Sequence, residues 1–272
     1  MRYWWILVFC WCLPALPGCV DLKGVSSFAA NSGHTLVTIN TFSYGYAGYC
    51  ADSCYIYHEG RGELKDFLCD CSAATNYDKA LQQEFSALAG YFAALARLAG
   101  SSELINAGPL GKAVAPGNYG RFSITATESG VAGGLSTAVT DILTVHYKST
   151  HLADTLRKYG PDVDKYIGVL ALHLANLEGE LKVLETQLTI KTVLYIHGAG
   201  TAAESYTLFN LYKDKKASLD RVIAEYETKQ QLIQKIRKGH QQLLDNIAQL
   251  KSEGLKKRLL SLVADIAYLS GK

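Results

Sequence analysis

Four cysteines, Cys50, Cys54, Cys69 and Cys71, stand close together in a chain of 272 residues. Sulfur so spaced has two obvious uses. As thiolates the four could hold zinc, but Cys-x3-Cys followed by Cys-x-Cys departs from the spacing of zinc-binding fingers. As an even, clustered set in an oxidising compartment they read as two disulfides. Three pairings are open. The favoured one is nested, Cys54 with Cys69 and Cys50 with Cys71, because two segments joined by a turn at Gly60-Arg61-Gly62 would run back antiparallel and bring those sulfurs together. Closing the inner loop of about 15 residues would stabilise the fold by roughly 3 kcal/mol in chain-entropy terms.

The other reactive groups form no comparable constellation. His34, His58, His146, His151, His173, His197 and His240 include no His-x3-His pair and no Glu-x2-His motif, so no metal site is expected. His146 and His240 fall on the apolar sides of their segments and read as buried polar residues that set helix register. Glu178 and Glu180 point to different helix faces, and Glu59 and Glu63 flank a turn, so neither pair makes an acid/base couple. Phosphate-loop and dinucleotide-binding glycine patterns are absent, and no cofactor is expected. Val193-Leu194-Tyr195-Ile196-His197-Gly198-Ala199-Gly200 resembles the strand and HGGG oxyanion loop of lipases and esterases. Such an enzyme needs a Gly-x-Ser-x-Gly elbow further on, and none follows Thr201. A hydrolase around His197 is therefore a minor alternative, and no residue is assigned a catalytic role. Tyr44, Tyr46, Tyr49, Tyr55 and Tyr57 crowd around Cys50 and Cys54. They could present a stacking surface for a glycan or peptide, or fill a small disulfide-bonded region that is short of aliphatic side chains; the packing role is favoured.

The N-terminus carries an address. Arg2 precedes an apolar run from Tyr3 to Leu13, the order of an export signal. The run ends in Leu16-Pro17-Gly18-Cys19, which resembles the lipobox of bacterial lipoproteins, with Pro17 a departure from the usual pattern. The resemblance covers the first tenth of the chain. It implies cleavage before Cys19, acylation of the Cys19 sulfur, and a membrane held through the N-terminal lipid. With Val20 after the cysteine and Asp21 one place later, it implies the outer membrane, facing the periplasm. Pro14 and Pro17 interrupt the apolar run short of the roughly 20 residues a permanent span needs. An oxidising compartment agrees with the disulfide reading.

Loss of Arg2 with the signal leaves 26 basic against 25 acidic side chains, so no basic stripe for nucleic acid is expected. Only Pro109, Pro116 and Pro161 remain to interrupt helices. The cysteines must be positioned by a region between Val25 and Tyr57 that is rich in Ser, Thr, Gly and Tyr and only weakly periodic. A helix is predicted from about Tyr77 to Ala99, with Leu81, Phe85, Leu88, Phe92, Leu95 and Leu98 on one face and Gly100 at its end. Residues 101–120 read as a loop, and another helix is predicted from Ser123 or Thr125 to Tyr159, stopped by Gly160-Pro161.

Val163, Ile167, Leu170, Leu174, Leu177, Leu181, Leu184 and Leu188 then alternate steps of four and three, and the phase continues to Lys191 and Tyr195. After His197-Gly198-Ala199-Gly200 a second seam runs through Leu219, Val222, Tyr226, Ile233, Ile236, Leu243, Ile247 and Leu250, with Lys229 and His240 in register. Two helices joined by so short a turn must lie antiparallel. A last amphipathic helix covers Leu255 to Leu269, and no strand alternation is strong enough to build a sheet. The expected fold is all-α, an elongated helical bundle with a long antiparallel coiled-coil-like hairpin and a small disulfide-clamped N-terminal region. Residues 1–18 form the signal, 19–76 the lipidated and disulfide-containing part, and 77–272 the bundle. The expected function is that of a non-enzymatic, outer-membrane-anchored scaffold that binds a protein partner, in envelope assembly or toxin neutralisation.

Overall fold

A computed structural model describes residues 22–41, 43–57, 69–102, 117–119, 122–125, 130, 133–135, 137–141 and 150–271. Cys19 and the whole signal, the Gly60-Arg61-Gly62 turn, His58 and His146 lie outside the described residues. The described chain is helical: α1 (Lys23–Ile39), α2 (Tyr46–Tyr57), α3 (Ser72–Leu98), α4 (Thr150–Gly198), α5 (Ala202–Asp245) and α6 (Glu253–Leu269), with a two-stranded hairpin of β1 (Gly117–Tyr119) and β2 (Phe122–Ile124). α4 and α5 form the long antiparallel hairpin, about 70 Å and 65 Å in length at 1.5 Å per residue.

Local chemistry explains several boundaries. α3 closes on Gly100, whose φ of 92° suits the left-handed position; Ser101 N donates to Ala96 O at 2.9 Å and Gly100 N to Arg97 O at 3.0 Å. α5 opens on a capping box, in which Thr201 Oγ1 accepts from Glu204 N while the Glu204 carboxylate accepts from Thr201 N at 3.1 Å. α6 opens on Ser252, whose hydroxyl accepts from Leu255 N.

Several expectations are corrected. The weakly periodic stretch before Tyr57 forms two helices: α1 buries Val25, Phe28, Leu36 and Ile39 together with Gly24, Ala29, Ala30, Ser32 and Gly33, small residues that let neighbouring backbones approach, and α2 has little amphipathic contrast. α3 starts at Ser72, not Tyr77, its first N–H accepted by Asp70 Oδ1 at 2.9 Å. Phe122–Ile124 pairs antiparallel with Gly117–Tyr119 where a loop and a helix start were expected, Gly117 opposite Ile124. Gly160-Pro161 does not stop a helix; α4 runs through Pro161. A proline inside a helix costs about 3 kcal/mol, and here burial of Leu152, Leu156, Val163, Tyr166 and Ile167 on both sides of Pro161 offsets that cost. α5 ends at Asp245, so Ile247 of the expected seam lies in a single 3-10 turn, Ile247–Gln249.

Packing sets the direction of each element. Gly24 at the start of α1 meets the backbone of Lys256 in α6, and Phe28 lies on Gly239 of α5. Further along, Lys229 Nζ donates to the Thr41 carbonyl at 3.0 Å, Tyr226 Oη to the Tyr44 carbonyl at 2.7 Å, and Lys215 Nζ to Asp52 at 2.6 Å. α1 and α2 therefore track α5 in reverse, from its C-terminal end toward the hairpin turn. α3 returns, with Tyr77 at His173 and Tyr91 at His240. The described chain thus starts at a base formed by the far ends of α4 and α5, and Gly239 is about 55 Å along the helix from Ala202.

Candidate functional site

The four cysteines pair as the nested arrangement predicts. Cys50 bonds Cys71 and Cys54 bonds Cys69, with Cα separations of 5.8 and 6.0 Å. They tie α2 to the residues that lead into α3. Asp78, nearly two turns into α3, seals the other end of the clamp: its two carboxylate oxygens accept from the first N–H groups of α2, Tyr46 N at 2.8 Å and Ala47 N at 2.9 Å. Burial raises the Asp78 carboxyl above its usual range, and the two backbone N–H bonds oppose that rise.

The tyrosines of this region face inward. Tyr46 is buried and donates to the His173 carbonyl at 2.8 Å; its ring meets the edge of Tyr77, which hydrogen-bonds His173 Nδ1 at 2.7 Å. Tyr49 is buried and donates to Glu180 Oε2 at 2.5 Å. Tyr44 is half-buried and donates to Asp52 Oδ2 at 2.7 Å, and Asp52 also takes Lys215. Burial pushes the phenols of Tyr44, Tyr46 and Tyr226 well above their usual range, and Asp52 raises Tyr44 further, so all three stay neutral donors. The hydroxyls of Tyr46, Tyr49 and Tyr226 fasten α2 or its lead-in to α4 or α5, and that of Tyr44 joins the lead-in to Asp52 of α2, which also takes Lys215 of α5. Tyr46 and Tyr49 have no ring face open to a ligand. The side chains of Tyr55 and Tyr57 lie outside the described residues.

His197 is exposed in the last turn of α4. The backbone donors that would form an oxyanion hole beside it are engaged: Gly200 N and Thr201 N both bond the Glu204 carboxylate, at 2.9 and 3.1 Å. His240 is fully buried on α5, its Nε2 3.1 Å from Tyr91 Oη and its ring against the edges of Tyr91 and Phe92. Burial lowers its pKa from 6.5 to about 4, with Asp164 partly opposing. Among the described residues no three His, Cys, Asp or Glu side chains gather as a metal site. A cleft of about 350 Å³ between α1, α5 and the end of α6 is lined by Thr35, Thr38, Glu225, Lys229 and Leu269 among others. Its lysine is already met by Glu225 at 2.7 Å and the Thr41 carbonyl.

The feature that sequence reasoning missed is the far end of the hairpin. The expected seam thins beyond Leu184: Leu188 still packs half-buried against the core, but the last fully buried residues are Leu184 on α4 and Leu219 on α5, and Tyr195 is exposed. Fourteen residues separate Leu184 from Gly198, so an arm about 20 Å long extends past the close-packed core. It exposes Leu194, Tyr206 and Leu211 at 64%, 69% and 63%, with Ile190, Val193, Tyr195 and Phe209 near half. The sequence carries one signal for it: between Lys191 and Lys213 the only formal charge is Glu204. No helix among the described residues is long and apolar enough to cross a membrane. No family model, curated protein or solved structure matches this chain.

Proposed function

We propose that this chain is a non-enzymatic lipoprotein of the bacterial envelope, held at the outer membrane through Cys19 and serving in the periplasm as a scaffold for a protein partner. The observation that carries the reading is the polarity of the bundle. α1 begins at the base, beside Gly239 and Lys256, and the hairpin turn lies about 55 Å away. Cys19 is three residues before Leu22, a reach of at most about 10 Å. A lipid there would seat the base on the membrane and leave the long helices standing in the aqueous space.

The outer flank of α5 suits protein contact. Arg221, Gln231, Gln234 and Lys238 are all exposed along it, a polar surface with no helix laid over it among the described residues. The same Cys54–Cys69 and Cys50–Cys71 bridges suit an oxidising compartment. The ligand-binding reading of the tyrosines and the hydrolase reading of His197 have less support, since Tyr46 and Tyr49 are buried and the amides near His197 are occupied.

Two measurements test this. Metabolic labelling with an alkynyl fatty acid should mark the wild-type chain and not Cys19→Ser; labelling that survives the substitution overturns the anchor. In a deletion strain, His197→Ala should complement, whereas Arg221→Glu with Lys238→Glu should not, at equal abundance. Loss of function in His197→Ala alone would reopen catalysis.

A further inference from the structure

We infer that the end of the α4–α5 arm is a lipid-contacting tip that dips into the headgroup and upper acyl region of a bilayer. The proposal is independent of the anchor at the opposite end of the bundle, and it rests on four features of the arm.

First, the apolar side chains are not confined to one face. Ile190, Val193 and Leu194 share one side of α4 and Tyr195 lies on the other, while Tyr206 and Phe209 share one side of α5 and Leu211 lies on the other; all are exposed. A groove in a protein would select a stripe on one helix face; a fluid medium that surrounds the tip accepts apolar groups all round it. Second, the polar groups of the tip are satisfied from within. Thr189, Thr192, Ser205 and Thr207 each return their hydroxyl to the carbonyl four residues back, at 3.0, 2.8, 3.2 and 2.9 Å. The turn itself hands Gly200 N and Thr201 N to Glu204. Leaving water then strands few donors.

Third, the charges stand where a lipid surface would want them. Lys191 is seven residues, about 10 Å, behind Gly198, and Lys213 is about 17 Å behind Ala202. Interfacial segments sink about 5–10 Å, which brings Lys191 to the phosphates and leaves Lys213 within reach of its long side chain. Fourth, Tyr195, Tyr206 and Phe209 supply the aromatic rings that favour the membrane interface.

The test uses the full mature chain, residues 19–272, exported behind an ordinary cleavable signal and carrying Cys19→Ser so that no acyl group confuses the result. It is sedimented with vesicles of phosphatidylcholine and phosphatidylglycerol at 3:1, and with phosphatidylcholine alone. The chain should co-sediment with the mixed vesicles, and Leu194→Asp with Phe209→Asp should weaken this at least about tenfold with an unchanged Tm. The three tryptophans, Trp4, Trp5 and Trp11, all leave with the signal, so Phe209→Trp gives a single probe whose emission should move to shorter wavelength on vesicles. Glu204→Gln preserves the capping box and removes the one acidic charge of the tip, so it should strengthen binding; a basic protein groove would respond with a loss. Failure to sediment, sedimentation unaffected by the two aspartates, an unmoved emission maximum, or a chain that buries its tip in a second copy by sedimentation velocity each overturns the proposal.

Discussion

The Phe28 ring of α1 lies against the Cα of Gly239 on α5, so close that a methyl group on that glycine would overlap the ring. This contact fixes where the start of the described chain meets the hairpin. It holds at the base, where Gly24 also meets Lys256, and so sets the polarity of the whole bundle.

Gly239→Ala should therefore destabilise, although alanine is the better helix former. Overpacking of a close contact costs about 1–3 kcal/mol, against a propensity gain of about 1 kcal/mol. Gly179, on the exposed side of α4, meets nothing within 4 Å. Gly179→Ala should raise the Tm while Gly239→Ala lowers it. Shifts of the same sign in thermal melts would mean that α1 does not seat on α5 as described.

His240 gives the fold an acid limb. Its folded pKa of about 4 lies below the ordinary 6.5 because the buried ring cannot take a charge beside Tyr91 and Phe92. Above pH 6.5 neither folded nor unfolded chain protonates it, and stability is full. As pH falls from 6.5 toward 4 the unfolded chain binds a proton that the folded chain refuses, so stability drops by up to about 3 kcal/mol and then levels off. His240→Gln retains a partner for Tyr91 and removes the titration. Urea unfolding at pH 7 and pH 5 should show a smaller loss for the variant than for wild type; equal losses would place a solvated imidazole at this position.

What could be read beforehand follows the size of the side chains that do the packing. The α4–α5 seam was legible because Leu170, Leu174, Leu177, Leu181 and Leu184 are large and recur every three or four residues, and all are buried. α1 was only weakly legible, because its large buried residues Val25, Phe28, Leu36 and Ile39 are interspersed with buried glycine, alanine and serine that work by letting backbones approach. Pro161 misled for the opposite reason: a strong local signal was overridden by the buried residues on either side of it. The tyrosine cluster was visible as composition, but the partners that fix its orientation, Glu180 for Tyr49 and His173 for Tyr46, are more than a hundred residues away. The exposed arm was hidden by its own periodicity, which continues the seam while the helices around it stop.

The nested disulfides make a prediction that separates clamp from core. Cys54→Ser with Cys69→Ser opens the inner loop, of sequence separation 15, and leaves Cys50–Cys71 in place. Because the outer bridge still limits the unfolded chain, the loss should fall below the roughly 3 kcal/mol expected for a lone loop of that length. Removing all four sulfurs should cost more than the inner pair and loosen the contacts of Tyr46 and Tyr49, seen as faster amide exchange in α2. Non-reducing peptide mapping should recover Cys50 with Cys71; a Cys50–Cys54 peptide would contradict the nesting.

The boundary between core and arm can be tested with one chemistry at three places. Leu177 and Ile236 are buried at 1% and 0%, whereas Leu194, on the same helix as Leu177, is 64% exposed. An aspartate at either buried position would strand a carboxylate away from water, and such changes commonly cost several kcal/mol. At Leu194 the carboxylate is solvated from the start, and surface changes usually stay within about 0.5 kcal/mol. Leu177→Asp and Ile236→Asp should therefore lower the Tm steeply, while Leu194→Asp leaves it near wild type. A steep fall in Leu194→Asp, measured at low protein concentration to exclude self-association, would show that the arm is covered by the chain itself, and would remove the exposed tip on which lipid contact depends.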